Sequence, residues 1–209
     1  MILSKGHAAL ALYAAFHLRG WLTADQLAGY CQDGGLSVHP EIGVPGIDFS
    51  TGSLGHGLSM ATGAALAAKL DGSARRAVVL ISDAEHNEGS LWEAAAFAAH
   101  HKLDNLVAIV DANGQQALGH TDQVLDMSPL AERWRAFGWG AVEVDGHDVA
   151  TLTAALDRAG SAAGKPYVIV ARTVAGKGVS YMEREVKWHY LPMDDAQYAQ
   201  ALQEIGAPA

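Results

Sequence analysis

Cysteine, long apolar runs and basic residues are all scarce in this sequence of 209 residues. The single cysteine, Cys31, excludes an internal disulfide framework and is typical of a reducing compartment, so we expect a cytoplasmic protein. No apolar run approaches the roughly 18 residues of a membrane span, and the first residues lack the order of a signal peptide. The net charge of −9 argues against a nucleic-acid partner, because binding phosphates along a backbone requires clustered Lys and Arg.

The remaining composition suits one α/β domain over residues 1–209, since half of the residues are hydrophobic. Continuously apolar segments indicate buried strands at Ala77–Ser82, Leu106–Asp111, Ala141–Asp145 and Tyr167–Thr173. Helical patterns accompany them at Gly57–Leu70, Glu88–His101, Pro129–Phe137 and Asp148–Gly160. This alternation predicts a doubly wound fold, in which a mostly parallel sheet has helices on both faces.

Polar and glycine-rich segments follow three of these strands, at the edge where open α/β sheets bind ligands. Asp83 and Asn113 follow neighbouring strands. With the backbone carbonyl of Gln115 they form an oxygen set that suits Mg²⁺ when phosphate completes its coordination. Glycine-rich turns and helix N-termini nearby offer N–H groups to such phosphates. From spacing alone, an equally good interpretation is that Asp83 and Asn113 only cap the helix and turn that follow them.

Six motifs, taken in order, resemble the amino-terminal half of transketolases. The longest runs from Ile81 to Gly119 and resembles the family's thiamine diphosphate motif, Gly-Asp-Gly followed by Asn. The others are SKGHAALALY (4–13), VHPE (38–41), STGSLGHGLSMATG (50–63), VDGHD (144–148) and AGKGVSYMEREVKWH (175–189). The resemblance covers nearly the whole chain and implies a thiamine-diphosphate-binding fold.

The resemblance also implies roles for individual residues. A divalent metal (Mg²⁺, or Ca²⁺ or Mn²⁺) would be held by the side chains of Asp83 and Asn113 and the carbonyl of Gln115. The implied contacts to thiamine diphosphate are His7, Gly52, Leu54, Asp83, Ala84, Asn113 and His189. The implied catalytic residues are His39, which meets the carbonyl and hydroxyl oxygens of the substrate, His189, which with His7 contacts the diphosphate and the active-site entrance, and Glu88, a buried acid that links two sites across a dimer. No family role is assigned to His86.

Three residues in two motifs depart from the family pattern near the cofactor. Ser82-Asp83-Ala84 replaces Gly-Asp-Gly, and His56 stands where Gln is common. If residue 84 has a positive φ, alanine is strained there, and we expect Ala84→Gly to tighten cofactor binding by up to roughly tenfold. A negative φ instead predicts a slight loss of stability and no gain in affinity.

Two parts of the family pattern have no counterpart in this sequence. The segment that precedes the Ser-Lys-Gly-His motif in the family is absent from the sequence as given: either its start is misplaced, or the chain is truncated, or the enzyme manages without that segment. Nothing resembles the carboxyl-terminal half, which carries the glutamate that activates the cofactor. We therefore expect the amino-terminal subunit of a heteromeric transketolase, as an α2β2 heterotetramer with a carboxyl-terminal subunit. Its expected reaction is two-carbon ketol transfer from a ketose to an aldose or aldehyde.

Two other functions remain open at this point. The chain could be half of another thiamine diphosphate enzyme, of the 2-oxoacid dehydrogenase or deoxyxylulose-phosphate synthase type. The motifs around His39 and His189 favour the transketolase branch instead. It could also be a non-catalytic remnant that only binds a partner, an alternative that Ser82, Ala84 and the missing amino-terminal segment keep open.

Overall fold

The computed structural model describes residues 1–161 and 163–206, so residues 162 and 207–209 of the predicted domain lie outside the described part. A five-stranded parallel sheet has the order β1-β2-β3-β7-β6, and a short antiparallel hairpin is formed by β4 and β5. The strands are β1 (Ile2–Leu3), β2 (Ala77–Ser82), β3 (Leu106–Ala112), β4 (Gln115–Gln116), β5 (Gly119–His120), β6 (Gly140–Asp145) and β7 (Tyr167–Arg172).

Helices surround this sheet and follow most of its strands. They are α1 (Ala9–Leu18), α2 (Ala24–Ala28), α3 (His56–Leu70), α4 (Gly89–His100), α5 (Thr121–Val124), α6 (Leu130–Ala136), α7 (Val149–Gly160) and α8 (Asp195–Glu204). Short 3₁₀ helices span Gly6–Ala8, Ala84–Asn87 and Val186–His189. In the part of the chain that the structure describes, no helix combines the length and apolarity needed to cross a membrane.

The predicted strands and helices are confirmed to within one residue at each end. Helix α1 has no periodic signal in the sequence, because ALALYAAFHL is apolar on every side. Helix α8 does have a signal that sequence reasoning missed, since Asp194 and Gln197 form a capping box at its start. Strand β1 is only two residues long, too short for any pattern to mark it.

The core lies on both faces of the sheet. Helices α3, α4 and α6 cover one face, where β2 and β3 bury side chains such as Ile81 and Val110. Helix α7 covers the other face and packs Ala155 and Ala159 against Val107 and Ile169. The predicted mostly parallel α/β fold with helices on both faces is therefore confirmed.

Strand register brings three loops to one edge of the sheet. Ser82 at the end of β2 pairs with Asp111, and Ala112 at the end of β3 pairs with Arg172. The backbone N–H of Asp83 donates to the carbonyl of Asp111 at 3.2 Å. The segments that follow β2, β3 and β7 therefore begin side by side, and these segments carry the candidate site.

Candidate functional site

Asp83 joins the loop after β2 to the loop after β3. Its carboxylate accepts the backbone N–H of Ala84 at 2.9 Å and that of Gly114 at 2.7 Å. The side chain is buried, and no described Lys or Arg lies within ion-pair distance of it. Burial raises the pKa of Asp83 to about 6, helped by the negative charge of Asp111, while the two amide hydrogen bonds and Lys5 oppose the rise. The bare carboxylate thus lacks a cation partner.

Asn113 lies on the neighbouring loop, with its amide group held in one orientation. Its Nδ2 donates to Oδ2 of Asp111 at 3.3 Å, and its Oδ1 accepts the backbone N–H of Gln115 at 2.9 Å. Gly114 between them has φ of +77°, a left-handed turn that favours glycine. Gln115 is buried, and its side-chain nitrogen has no hydrogen-bond partner among the described residues.

The oxygens on these two loops fit a small divalent cation. They are a carboxylate, an amide oxygen and a main-chain carbonyl, which are the hard ligands that Mg²⁺ takes alongside phosphate oxygens. A cation at Asp83 would also offset the cost of burying its charge. That cost is about 3 kcal/mol for a shift of about two pKa units. The structure thus places Asp83 next to the loop that carries Asn113 and Gln115, although the bonds to Ala84 and Gln115 are also those of simple capping. Metal binding by these residues stays a prediction.

Asp111 organises the loop that carries Asn113, a role that sequence reasoning missed. Its carboxylate forms an ion pair with Lys5 and accepts the hydroxyl of Thr173 in addition to the amide of Asn113. Burial by itself raises the pKa of Asp111, but the charge and hydrogen bond of Lys5 and the bonds from Thr173 and Asn113 outweigh it and lower the pKa. Asp111 therefore stays ionised and holds the Asn113 amide nitrogen away from a metal.

Three predicted histidines gather at one end of the site. The rings of His7 and His189 lie 5.1 Å apart between centroids. Desolvation, followed by the neighbouring His189, Lys5 and His39, lowers the pKa of His7 to about 4. Desolvation and Lys5 also lower the pKa of His189. Both imidazoles are therefore neutral near pH 7, and each can donate one hydrogen bond to an oxygen while accepting another.

The loop that carries Gly52 and Leu54 packs tightly against this histidine group. A Cβ added at Gly52 would lie 2.9 Å from the ring of His39, and one added at Gly6 would lie 2.7 Å from the Cα of Gly52. The hydroxyl of Tyr13 donates to the carbonyl of His39 at 3.0 Å and fixes that side of the loop.

A cavity of about 510 Å³ opens beside this loop. His39 and Gly52 line it, and so does His56, the residue that replaces the family's glutamine. The substitution at residue 56 therefore faces the same space as two predicted site residues. Leu54, two residues after Gly52, is half-buried and does not line this cavity.

The structure of one chain leaves the expected burial of Glu88 across a dimer as a prediction. Glu88 is exposed, in extended backbone between the 3₁₀ helix Ala84–Asn87 and α4, and its side chain makes no capping hydrogen bond. A role for it inside a dimer would require burial by a second polypeptide. The fully buried carboxylate of this segment is instead Glu85, three residues earlier.

Of the two outcomes considered for Ala84, the strained backbone with a positive φ is wrong. Asp83 has right-handed helical φ and ψ, and Ala84 opens the 3₁₀ helix with a negative φ, so its Cβ costs no backbone strain. Its N–H is engaged by the Asp83 carboxylate. The loop is therefore adapted to alanine, and the departure from Gly-Asp-Gly leaves the position of Asp83 undisturbed.

His86 supports this loop from the core side. Its Nδ1 donates to the carbonyls of Ser82 at 3.1 Å and Asp83 at 2.9 Å, and its Nε2 accepts the indole N–H of Trp134 at 2.9 Å. Desolvation, with a smaller contribution from Arg133, outweighs the hydrogen bonds and lowers the pKa of His86 to about 4. His86 is thus a neutral, fully bonded core residue.

Comparison with known proteins identifies the family. The family model described as the transketolase thiamine diphosphate binding domain matches residues 1–208. The chain belongs to the transketolase family. It is 40% identical over 205 residues to an apulose-4-phosphate transketolase subunit of Phocaeicola vulgatus, covering 98% of this chain and 73% of that one. It is 38% identical over 207 residues to a 6-deoxy-6-sulfo-D-fructose transketolase subunit of a Clostridium species, covering 98% and 75%.

Solved transketolases share the fold. The crystal structure of Campylobacter jejuni transketolase superposes with a TM-score of 0.93 at 31% identity, covering 99% of this chain and 34% of that one. The chain thus spans about three quarters of the two relatives named above and about a third of this longer transketolase. The predicted resemblance to the thiamine-diphosphate-binding domain of transketolases is confirmed.

The pKa of Asp83 generates a first prediction for this transketolase domain. Because burial raises this pKa to about 6, the metal-free fold loses stability as the pH rises from about 4 through 6 and Asp83 ionises. A bound cation would favour the ionised carboxylate and so lower the pKa of Asp83. We expect the ¹³Cγ signal of Asp83 to titrate near pH 6 without metal, and below its ordinary value once Mg²⁺ and thiamine diphosphate are added.

Asp148 serves as the internal control, because hydrogen bonds from Thr151 and Ala150 already lower its pKa and no metal is expected there. Its signal should not respond to metal. Titration of Asp83 near pH 4 in both states would contradict the geometry described for its carboxylate.

A second prediction follows from the backbone of Ala84. Since φ is negative there, Ala84→Gly relieves no strain and adds freedom to the unfolded chain. We expect the free energy of unfolding to fall by about 0.5–1 kcal/mol, with no increase in cofactor affinity. Thermal melting and calorimetric titration of the same variant measure both quantities, and a tenfold gain in affinity would show that the loop is strained after all.

Proposed function

We propose that this chain is the cofactor- and metal-binding half of a transketolase that transfers a two-carbon ketol unit from a ketose to an aldose or aldehyde. The observation that carries the proposal is the convergence of Asp83, Asn113 and Gln115 with a group of histidines at one sheet edge. Family membership gives this convergence its chemical meaning.

Each group of residues has a distinct task in this proposal. Bound thiamine diphosphate supplies the carbon nucleophile and the electron sink. Asp83, Asn113 and the carbonyl of Gln115 hold a divalent metal, Mg²⁺ or alternatively Ca²⁺ or Mn²⁺, against the diphosphate. The neutral imidazoles of His7 and His189 donate hydrogen bonds to diphosphate or substrate oxygens without adding charge.

His39 is proposed to act at the substrate. It lines the same cavity as Gly52 and His56, so sugar carbonyl or hydroxyl oxygens that enter this cavity can meet both imidazoles. Imidazoles serve as general acids and bases toward such oxygens. Glu88 is proposed to meet a second polypeptide, because its exposed position leaves it free for such a contact.

We propose that the active assembly requires a polypeptide that supplies the carboxyl-terminal half, as an α2β2 heterotetramer. Two of the relatives are named as subunits, which supports a divided enzyme. No part of the 209 residues resembles the half that activates the cofactor. A cytoplasmic location is proposed on the basis of the single cysteine, which is free and exposed.

The rival proposal, a non-catalytic remnant, rests on the altered Ser82-Asp83-Ala84 motif. Neither altered residue interferes with the candidate metal ligands. Ala84 is unstrained, and the Ser82 hydroxyl is hydrogen-bonded to Glu85 rather than directed at the metal ligands. A cofactor-competent loop is therefore the better-supported proposal.

A reconstitution assay tests the proposal. The chain is co-expressed with a transketolase carboxyl-terminal half, and the first half to be tried is the product of the neighbouring gene. The purified mixture is then supplied with Mg²⁺ and thiamine diphosphate. The named substrates of the two relatives justify a panel that includes phosphorylated and sulfonated ketoses. We expect ketol transfer by the mixture and none by the chain alone, since the activating glutamate belongs to the other half.

Two variants complete that assay. Asn113→Ala should reduce transfer more than about 100-fold by removing a metal ligand. Gln116→Ala, two residues past Gly114, should not, because the Gln116 side chain donates its hydrogen bond to Asn87, which is not a candidate ligand. Turnover by the chain alone would contradict the need for a partner. Cofactor binding by the mixture without any transfer across the panel would favour the remnant.

A further inference from the structure

Glu85 is a fully buried carboxylate that no described cation neutralises. Its Oε1 accepts the hydroxyl of Ser4 and the backbone N–H of Gly55, the latter at 2.9 Å. Its Oε2 accepts the backbone N–H of Ser82 at 2.7 Å and the Ser82 hydroxyl at 3.3 Å. Four donors therefore converge on one side chain, which satisfies its charge without a counter-ion.

These donors come from three segments that are far apart in the sequence. Ser4 precedes the turn that presents His7, and Gly55 follows the loop that presents Gly52 and Leu54. Ser82 is adjacent to Asp83, the first candidate metal ligand. One buried carboxylate thus contacts three of the segments that the proposed function assigns to the cofactor, those next to His7, Gly52 and Asp83.

The segments are packed too closely for the contact to be replaced by a rearrangement. The backbone N–H of Gly57 donates to the Ser4 hydroxyl at 3.1 Å, and a Cβ on Gly57 would lie 2.4 Å from that hydroxyl oxygen. A Cβ on Gly55 would lie 2.6 Å from the Cβ of Glu88. A shift of the Gly55 segment would therefore meet backbone or side chains on both sides.

We propose that Glu85 is a positioning residue that sets the distance between the segment for the cofactor's ring, Gly52–Leu54, and the loop for its metal and diphosphate, Asp83–Ala84. The identity of the ligand rests on the proposed function, but the role of Glu85 does not depend on which reaction follows. A carboxylate offers acceptor sites to all four donors. Glutamine of the same size turns one of the two oxygens into a donor, which faces the donors of Ser82 or those of Ser4 and Gly55.

This role also accounts for the serine that replaces the first glycine of the family motif. The Ser82 hydroxyl donates to Oε2 of Glu85 and accepts the backbone N–H of Glu85 at 3.2 Å. The substitution adds a contact to the same carboxylate and leaves the backbone bond from Ser82 in place.

The test measures the binding of two ligands to the complex of this chain with a carboxyl-terminal half. One ligand reaches a single segment of the site, and the other reaches both. Inorganic pyrophosphate with Mg²⁺ reports on the metal and diphosphate loop alone, and thiamine diphosphate with Mg²⁺ reports on both segments. We expect the wild type to prefer thiamine diphosphate, and Glu85→Gln to reduce that preference by about tenfold or more in calorimetric titrations. Ser4→Ala, which removes one donor, should reduce it by a smaller factor.

Leu103→Ala is the matched control for stability. Leu103 is fully buried in the main core at the far end of the sheet, so its truncation lowers the melting temperature without touching the three segments. The preference for thiamine diphosphate should remain at the wild-type value in this variant. If Glu85→Gln does not fold, Glu85→Asp keeps the charge but shortens the reach, and the same loss of preference is expected.

Amide hydrogen exchange on the free chain gives a readout that needs no ligand. Glu85→Gln should accelerate exchange in residues 51–56 and 3–8 more than in strand β3, whereas Leu103→Ala should affect β3 at least as much. The proposal would be overturned if Glu85→Gln weakened binding of pyrophosphate and of thiamine diphosphate equally, or if the wild type did not prefer thiamine diphosphate. It would also be overturned if Glu85→Gln accelerated amide exchange uniformly along the chain. Failure of ketol transfer with these results intact would refute the proposed function alone.

Discussion

The burial of the Asp83 carboxylate between two strand ends is the constraint on which the site depends. The parallel register places the loops after β2 and β3 side by side, and the carboxylate bridges them through the N–H groups of Ala84 and Gly114. Burial raises the free energy of its ionised form, so the loop is poised to gain from a cation. The neighbouring carboxylate of Asp111 is already paired with Lys5 and accepts a hydrogen bond from Asn113, so Asp83 is the carboxylate that would gain from a bound cation.

A second buried carboxylate solves a different problem. Asp83 has two amide donors and an unmet need for a cation, whereas Glu85 has four donors and no such need. One is therefore suited to binding and the other to holding segments in place. The neutral histidines His7 and His189 have a third role, because they can offer hydrogen bonds to a ligand without adding charge to the site.

The sequence was sufficient for the sheet and for the placement of Asp83 and Asn113, because both depend on local periodicity and on the rule that parallel strands end together. It was insufficient for Lys5–Asp111 and Ser4–Glu85, which join residues 106 and 81 positions apart. No local pattern predicts which distant polar groups meet. The burial expected of Glu88 concerns a surface that only another polypeptide can cover, so it stays a prediction. The strain considered at Ala84 is absent because φ depends on the path of the whole loop, which no local pattern predicts.

A crystal structure of the reconstituted complex with Ca²⁺ and thiamine diphosphate would test the central claim most directly. We expect one anomalous peak bonded to a carboxylate oxygen of Asp83, Oδ1 of Asn113 and the main-chain oxygen of Gln115, each at about 2.3–2.6 Å. We also expect the diphosphate to complete the coordination. A cation bound elsewhere, or a diphosphate held without any contribution from Asp83 and Asn113, would contradict the claim.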